Sequence, residues 1–437
     1  MPERLIINGD GRIKGNIEVR GSKNAATPMI AASLLSDKPC TISNLPLIDD
    51  VYKMIKLIES MGAKVSWKEE RTIEIDAGDI DPDKLDQELV AQMRSSVLLI
   101  SPLLARFGKL RIRHPGGCVI GSRSIKTHLE FLKKMGARVY LEEVGQKELN
   151  NGELVKKADL YHFEAEEGLR GGEIILDEFS VTATENALMA ASLAKGETTI
   201  KIAASEPHVS NLALFLKKMG AQITGEGTHS MRVKGRDILK GANHGVIYDY
   251  LEAGTFTLIG LVSRGEVEIE NVPINDLDLF FSMLKKGGGD IKFLSEDRIR
   301  VKGKKKMVLE KIQTMPYPGI PTDLQSPLGV LATQTQGLTL IHDPLYEGRL
   351  KYLEELNKMG AEIVMCDPHR AIINGPTTLQ GTNLDPLDLR SGAALIMAGI
   401  IAQGTTIIRD VSQADRGYER IEERLQKIGV DVRRFKE

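Results

Sequence analysis

The sequence predicts an α/β protein of six similar units, most simply gathered into two pseudo-symmetric domains of three. Three observations carry that reading. One phrase recurs six times: IESMGAKV (58–65), LKKMGARV (132–139), LKKMGAQI (216–223), LKKGGGDI (284–291), LNKMGAEI (356–363) and LQKIGVDV (425–432). Its shared glycines, Gly62, Gly136, Gly220, Gly288, Gly360 and Gly429, lie 74, 84, 68, 72 and 69 residues apart. A second phrase runs in step with it, as in NALMAASLAKGETTI and SGAALIMAGIIAQGTTII. The 437 residues, 42% hydrophobic and 27% charged, have the balance of an ordinary globular protein.

Each phrase has its own physical reading. The first is the end of an amphipathic helix, a glycine just past it, and a strand of alternating apolar residues. The second is a helix rich in Ala, Gly and Ser, a turn, and a Thr-rich strand. Small residues let helices pack closely, so these helices are expected to be buried. β-Branched residues favour the strand that follows. A period of about 70 residues exceeds that of common solenoids, and neither end carries a polar capping repeat, so closed domains are favoured over one open array. The longest gap holds a charged stretch of poor apolar period, 142–172, read as a surface insertion or hairpin in the third unit.

Composition excludes several functions. Lys plus Arg number 58 and Asp plus Glu 60, a formal net charge of −2, which argues against a general binder of nucleic acid or membrane surface and leaves room for a local basic cleft. No apolar run is long enough for a transmembrane helix, and MPERLIINGDGRIKG lacks the features of a signal peptide. Cys40, Cys118 and Cys366 are far apart and odd in number, so neither a disulfide framework nor a metal cluster is expected, and a reducing cytoplasm is. The eight histidines form no metal pattern, and no phosphate-loop or dinucleotide fingerprint occurs in a suitable context. No cofactor or metal is expected.

Several short stretches carry candidate chemistry. RHPGGCVIGSR (113–123) sets Cys118 after two glycines, with Arg113, Arg123 and Lys126 nearby, and cations favour the reactive thiolate. The alternative is a small apolar filler, the expected role of Cys40 and Cys366. In RGSKNAA (20–26), Lys23 and Asn24 precede an apolar helix whose first amides suit an anion, or they are a solvated lysine and a capping asparagine. In YPGIPTDLQSPL (317–328), Asp323 is either a fixed general base or, with Ser326, a helix cap. Arg349, Arg390 and Arg416 each stand beside a turn, as does Arg94 in AQMRSS, and guanidinium forks suit carboxylate and phosphate.

Taken together, GSKNAA, QMRSS, PGGCVIGSR with His128, FSVTATEN, SEPHVSN, EAGTF, PTDLQ, EGRL, DLRSGAAL and DRGYERIEE resemble the enolpyruvyl transferases over nearly the whole chain. The PGGC loop is similar to the branch acting on UDP-N-acetylglucosamine and is absent from the shikimate-pathway branch. The resemblance implies an inside-out α/β architecture: two pseudo-threefold domains, each of three βαβαββ repeats with internal helices. Domain I would span 22–247, and domain II 1–21 plus 248–437, with a substrate cleft between them and the Cys118 loop as its lid.

It also implies residue roles. Cys118 would be the proton donor and Asp323 the base. Lys23, Arg123 and Arg416 would hold phosphoenolpyruvate, supported by Arg94, Arg349 and Arg390. Asn24, Ser180, Val181, Asp323 and Leu345 would meet the UDP-sugar, with His128, Glu206 and Asp388 as further polar groups. The implied partners are these two small molecules, with no nucleic acid or membrane. Glu178, Thr182, Ser124 and Tyr250 depart from the family pattern, where lysine, glycine, proline and arginine stand.

Overall fold

The computed structural model describes residues 3–9, 13–116, 124–142, 146–148, 154–156, 160–303, 306–386 and 388–436. Contacts divide them into two compact units, one of residues 21–116 and 124–247, the other of 3–20 and 248–436. Each unit has its own hydrophobic core.

The 21–247 unit holds three main sheets. In one, strand Asn243–Gly245 lies parallel to Cys40–Ser43, which pairs antiparallel with Thr72–Asp76, which pairs with Lys64–Glu69. A second repeats that order: Glu173–Ile175 parallel to Glu197–Lys201, then Ser230–Lys234 and Gln222–Thr224 antiparallel. The three sheets of the other unit follow the same rule of one parallel and two antiparallel pairings.

The remaining sheet has three strands, Lys109–Arg113, Leu160–Glu164 and Arg138–Glu142. Where its parallel partner is due, the chain forms a 3-10 turn, Pro82–Lys84, capped by Asp81. Proline has no N–H for a ladder, which disfavours a strand there.

The six recurring glycines have positive φ, between +90° and +109°. At Gly136, Gly220 and Gly360 an added Cβ would meet nothing within 4 Å, so backbone conformation rather than space selects glycine. The helices before them are amphipathic: Asp49–Ser60 buries Val51, Met54, Ile55, Leu57 and Ile58. The small-residue helices are buried almost all round. Helix Leu389–Ile401 buries every residue from Leu389 to Ile400, and helix Gln325–Ala332 buries all of its residues. Gly329 shows why they stay small: a Cβ there would lie 1.8 Å from the Tyr352 hydroxyl, which accepts from Gln325 Nε2 at 3.0 Å.

The 142–172 stretch differs from its sequence reading. Its first part contains a hairpin, Gln146–Glu148 paired with Leu154–Lys156. Further on, Leu160–Glu164 is the central strand of the three-stranded sheet, and Phe163, Ala165 and Leu169 are buried. The hairpin therefore extends the second repeat, not the third. Charged residues facing outward masked a strand with one buried face.

Candidate active site

In the 248–436 unit the polar groups gather at the N-terminal ends of three buried helices. Pro321 leads into the 3-10 turn Thr322–Leu324, which runs directly into helix Gln325–Ala332. Asp323 is a quarter exposed and sits inside that turn, whose N-cap position is Pro321. Its Oδ1 accepts from Arg349 Nη2, and its Oδ2 accepts from Arg390 Nε at 3.0 Å. Both arginines are almost fully buried, at 3% and 4% exposure. Burial works against each guanidinium charge, and Asp323 together with Asp388 and Asp343 at Arg349, and with Tyr418 and Asp249 at Arg390, more than offsets it, so both are held above the usual arginine range. Ser326, the other candidate cap, instead donates its hydroxyl to the Arg390 carbonyl at 3.2 Å. The capping reading of Asp323 and Ser326 thus gives way to tertiary contacts.

Further contacts fix this group. Thr322 Oγ1 donates to Asp343 Oδ2 at 2.6 Å and accepts from Arg349 Nε at 3.1 Å. Asp343 Oδ1 accepts from the Leu345 amide at 3.0 Å, which sets the half-exposed Leu345 beside the cluster. Asp388 is the N-cap of helix Leu389–Ile401, in a reciprocal capping box with Ser391. The Tyr418 hydroxyl accepts from Arg390 Nη1 at 3.2 Å and lies 2.9 Å from Thr255 Oγ1. Arg416, half-buried, stands two residues before this buried tyrosine. Asp249 caps helix Tyr250–Val262, and burial pushes its carboxyl up to about 6 against the pull of Arg390. Tyr250, where the family pattern has arginine, is buried.

In the 21–247 unit the same ends of the buried helices carry the candidates. Lys23 opens helix Lys23–Ala32 after Ser22, so Ser22 and not Asn24 is the N-cap. Lys23 is not a solvated lysine: its Nζ lies 2.5 Å from Oδ2 of the buried Asp50. Asn24 is partly exposed in the first turn. Arg94 begins the 3-10 turn Arg94–Leu99 that leads into helix Ile100–Phe107, and its Nη2 donates to the Ser124 carbonyl at 3.1 Å. Ser180 is the N-cap of helix Val181–Leu193, with Val181 its first residue. Glu206 stands at the cap position of helix Pro207–Met219. His128, 2% exposed, lies in the first turn of helix Lys126–Lys134. Burial and the charge of Arg94 press its pKa down to about 3, slightly offset by the Thr182 backbone, so the imidazole is neutral.

Cys118 and Arg123 lie outside the described residues. Two of the cations flanking that loop have carboxylate partners: Arg113 Nη1 with Glu88 at 2.6 Å, and Lys126 with Glu130 at 3.5 Å. Glu178 is exposed, and its carbonyl accepts from the Ser180 amide.

Sequence reasoning missed Asp50, Asp343, Tyr418 and Glu185. A carboxylate inside an otherwise apolar helix, as Glu185 is in FSVTATENALMAASL, was the available signal. Equally legible was that candidates precede or open most of the small-residue helices: Lys23, Arg94, Ser180, Asp323 and Arg390. Helix N-termini present unpaired amides and a positive dipole end, which with arginine forks suit anionic substrates.

A family model described as EPSP synthase (3-phosphoshikimate 1-carboxyvinyltransferase) matches residues 7–425. A Treponema denticola protein named UDP-N-acetylglucosamine 1-carboxyvinyltransferase is 40% identical over 438 residues, covering 98% of each chain. A Finegoldia magna protein of the same name is 39% identical over 97% of this chain and 96% of its own. Among solved structures, the enolpyruvyl transferase NikO from Streptomyces tendae shares the fold with a TM-score of 0.86 at 22% identity, covering 99% of both chains. EPSP synthase from Acinetobacter baumannii does so at 0.72 and 18%, over the full length of both. This chain belongs to the enolpyruvyl (1-carboxyvinyl) transferase family.

Proposed function

We propose that this enzyme transfers the enolpyruvyl group of phosphoenolpyruvate to the 3′-hydroxyl of UDP-N-acetylglucosamine and releases phosphate. In this reading it works in the cytoplasm, at the first committed step of peptidoglycan precursor synthesis. The observation that carries the acceptor is the 40% identity over 98% of the chain to a relative of that name, together with the PGGC sequence at 115–118.

The sugar oxygen bonds to C2 of phosphoenolpyruvate as a proton reaches C3. Phosphate then leaves as C3 gives up a proton. We assign the proton to Cys118 and the base to Asp323. Lys23, Arg123 and Arg416 hold phosphoenolpyruvate, with Arg94, Arg349 and Arg390 in support. Asn24, Ser180, Val181, Leu345, His128, Glu206 and Asp388 serve the acceptor and its surroundings. A carboxylate gripped by two guanidiniums is a poor base. Proton uptake by Asp323 therefore follows release of one arginine to the incoming anion.

Phosphate release from phosphoenolpyruvate tests the assignment. UDP-N-acetylglucosamine is expected to trigger it and shikimate 3-phosphate to leave it unchanged. Release with shikimate 3-phosphate alone would move the enzyme to the sister branch. Binding of the UDP-sugar without release would make it a non-catalytic paralogue.

A further inference from the structure

Among the described residues, three carboxylates from separate elements converge on the guanidinium of Arg434, in strand Asp431–Lys436. Asp415 takes it bidentately: Oδ2 accepts from Nη1 and Oδ1 from Nη2, each at 2.7 Å. Glu422 Oε2 accepts from Nη2 at 2.8 Å, and its Oε1 lies 2.8 Å from Nε. Glu3, in strand Glu3–Asn8, accepts from Nη1 at 2.8 Å and also pairs with Lys436 at 3.2 Å. The Arg434 side chain is 19% exposed, and those of Asp415 and Glu422 are 30% and 14%. A bidentate, networked and mostly covered arginine is worth more than a loose surface pair.

Two of these partners bracket one loop. Asp415 ends the short helix Ser412–Asp415, and Glu422 lies in the first turn of helix Ile421–Lys427. Arg416 follows Asp415 directly, so the clamp on Asp415 acts one residue from it. The middle of the loop is held separately. A Cβ on Gly417 would lie 2.7 Å from both methyl carbons of Leu389, and the buried Tyr418 reaches Arg390. Near its far end Arg420 sits at φ +41°, a left-handed conformation that non-glycine residues seldom adopt. Such a backbone persists where its surroundings over-determine it, as the grip on Glu422 does here. Strand Glu3–Asn8 adds a further tie, since the Glu3 carbonyl accepts from the Val411 amide at 3.2 Å.

We propose that Arg434 is a positioning residue for Arg416: by gripping Asp415 and Glu422 it fixes both ends of the loop and sets where Arg416 meets phosphoenolpyruvate. This rests on the reading of Arg416 as a phosphoenolpyruvate contact. The planar fork of arginine serves both carboxylates at once, whereas lysine offers one point charge. Removing the cation leaves Asp415 and Glu422 repelling each other across the loop.

The test compares full-length Arg434→Lys, Arg434→Met, Arg416→Ala and the Arg416→Ala/Arg434→Met double variant with the parent, by phosphate release and thermal unfolding. Arg434→Met should raise the KM for phosphoenolpyruvate about tenfold and leave that for UDP-N-acetylglucosamine within about twofold. Arg434→Lys should show a smaller rise, of about threefold. In the Arg416→Ala background, Arg434→Met should add less than about twofold, because the residue it positions is gone. Equal rises in both KM values, or an undiminished effect without Arg416, would make Arg434 a general structural residue and overturn the proposal. An unchanged phosphoenolpyruvate KM in Arg434→Met would overturn it too, with the reading of Arg416 intact. A normal phosphoenolpyruvate KM in Arg416→Ala would overturn that reading, and the proposal with it. Should Arg434→Met fail to fold, Asp415→Asn carries the same comparison, with the same selective rise expected. Calorimetric titration with phosphoenolpyruvate alone reads the shift whatever the acceptor.

Discussion

Arg390 donates from Nε to Oδ2 of Asp323 at 3.0 Å, across 67 residues of sequence, with its guanidinium 4% exposed. Arg349 takes the other oxygen, so one partly exposed carboxylate is shared by two buried cations. Asp323→Asn is expected to lower kcat by about two orders of magnitude, the usual worth of a general base. Phosphoenolpyruvate should bind the variant several-fold more tightly, because the arginines no longer hold an internal anion. Calorimetric titration with phosphoenolpyruvate and a phosphate-release assay check both halves. Near-normal turnover would remove Asp323 as base.

Tyr418 links two buried helices through Thr255 and Arg390. Tyr418→Phe leaves one Arg390 donor short of a partner inside the core, while the Thr255 hydroxyl keeps its bond to the Leu251 carbonyl. A loss of about 1–3 kcal/mol is expected in urea unfolding, the cost of unsatisfied buried groups.

Arg424 and Glu252 form a buried pair at 2.5 and 3.0 Å, and Arg424 also donates to the Glu18 carbonyl. Glu252 Oε2 accepts from the Arg20 amide at 2.7 Å. Arg424→Met alone should cost about 3–5 kcal/mol, because it strands a buried carboxylate. Adding Glu252→Gln should recover part of that loss, and thermal unfolding of the two variants side by side measures it.

His128 is buried neutral, with its pKa lowered from 6.5 to about 3. The unfolded chain binds this proton more tightly, so stability is lost as pH falls from 6.5 toward 3. His128→Asn should flatten that part of the stability–pH curve by a few kcal/mol. Denaturant titrations over the window read it as a smaller acid slope than the parent's.

Fosfomycin, an epoxide similar to phosphoenolpyruvate, is expected to alkylate Cys118 when the UDP-sugar is present. Peptide mass spectrometry should find the adduct there and not on Cys40, which is fully buried. An unmodified Cys118 would count against its role as proton donor.

The sequence by itself determined what depends on local chemistry. The glycine phrases marked six helix ends, because only a left-handed backbone closes those turns without strain. The Ala- and Gly-rich phrases marked buried helices, because close packing needs small side chains. Motif resemblance named Asp323, Arg349, Arg390 and Lys23 before any contact was known. Only the tertiary structure decided what those residues do in the resting protein. It joined Asp323 to arginines 26 and 67 residues away, gave Lys23 to Asp50, and turned Asp388 into a helix cap. It also showed Pro82 ending a sheet early and Phe163 burying a strand inside a stretch read as insertion. Periodicity reports which face of an element is apolar. Ion pairs such as Asp323 with Arg390 arise where separate elements meet, and no local pattern encodes that meeting.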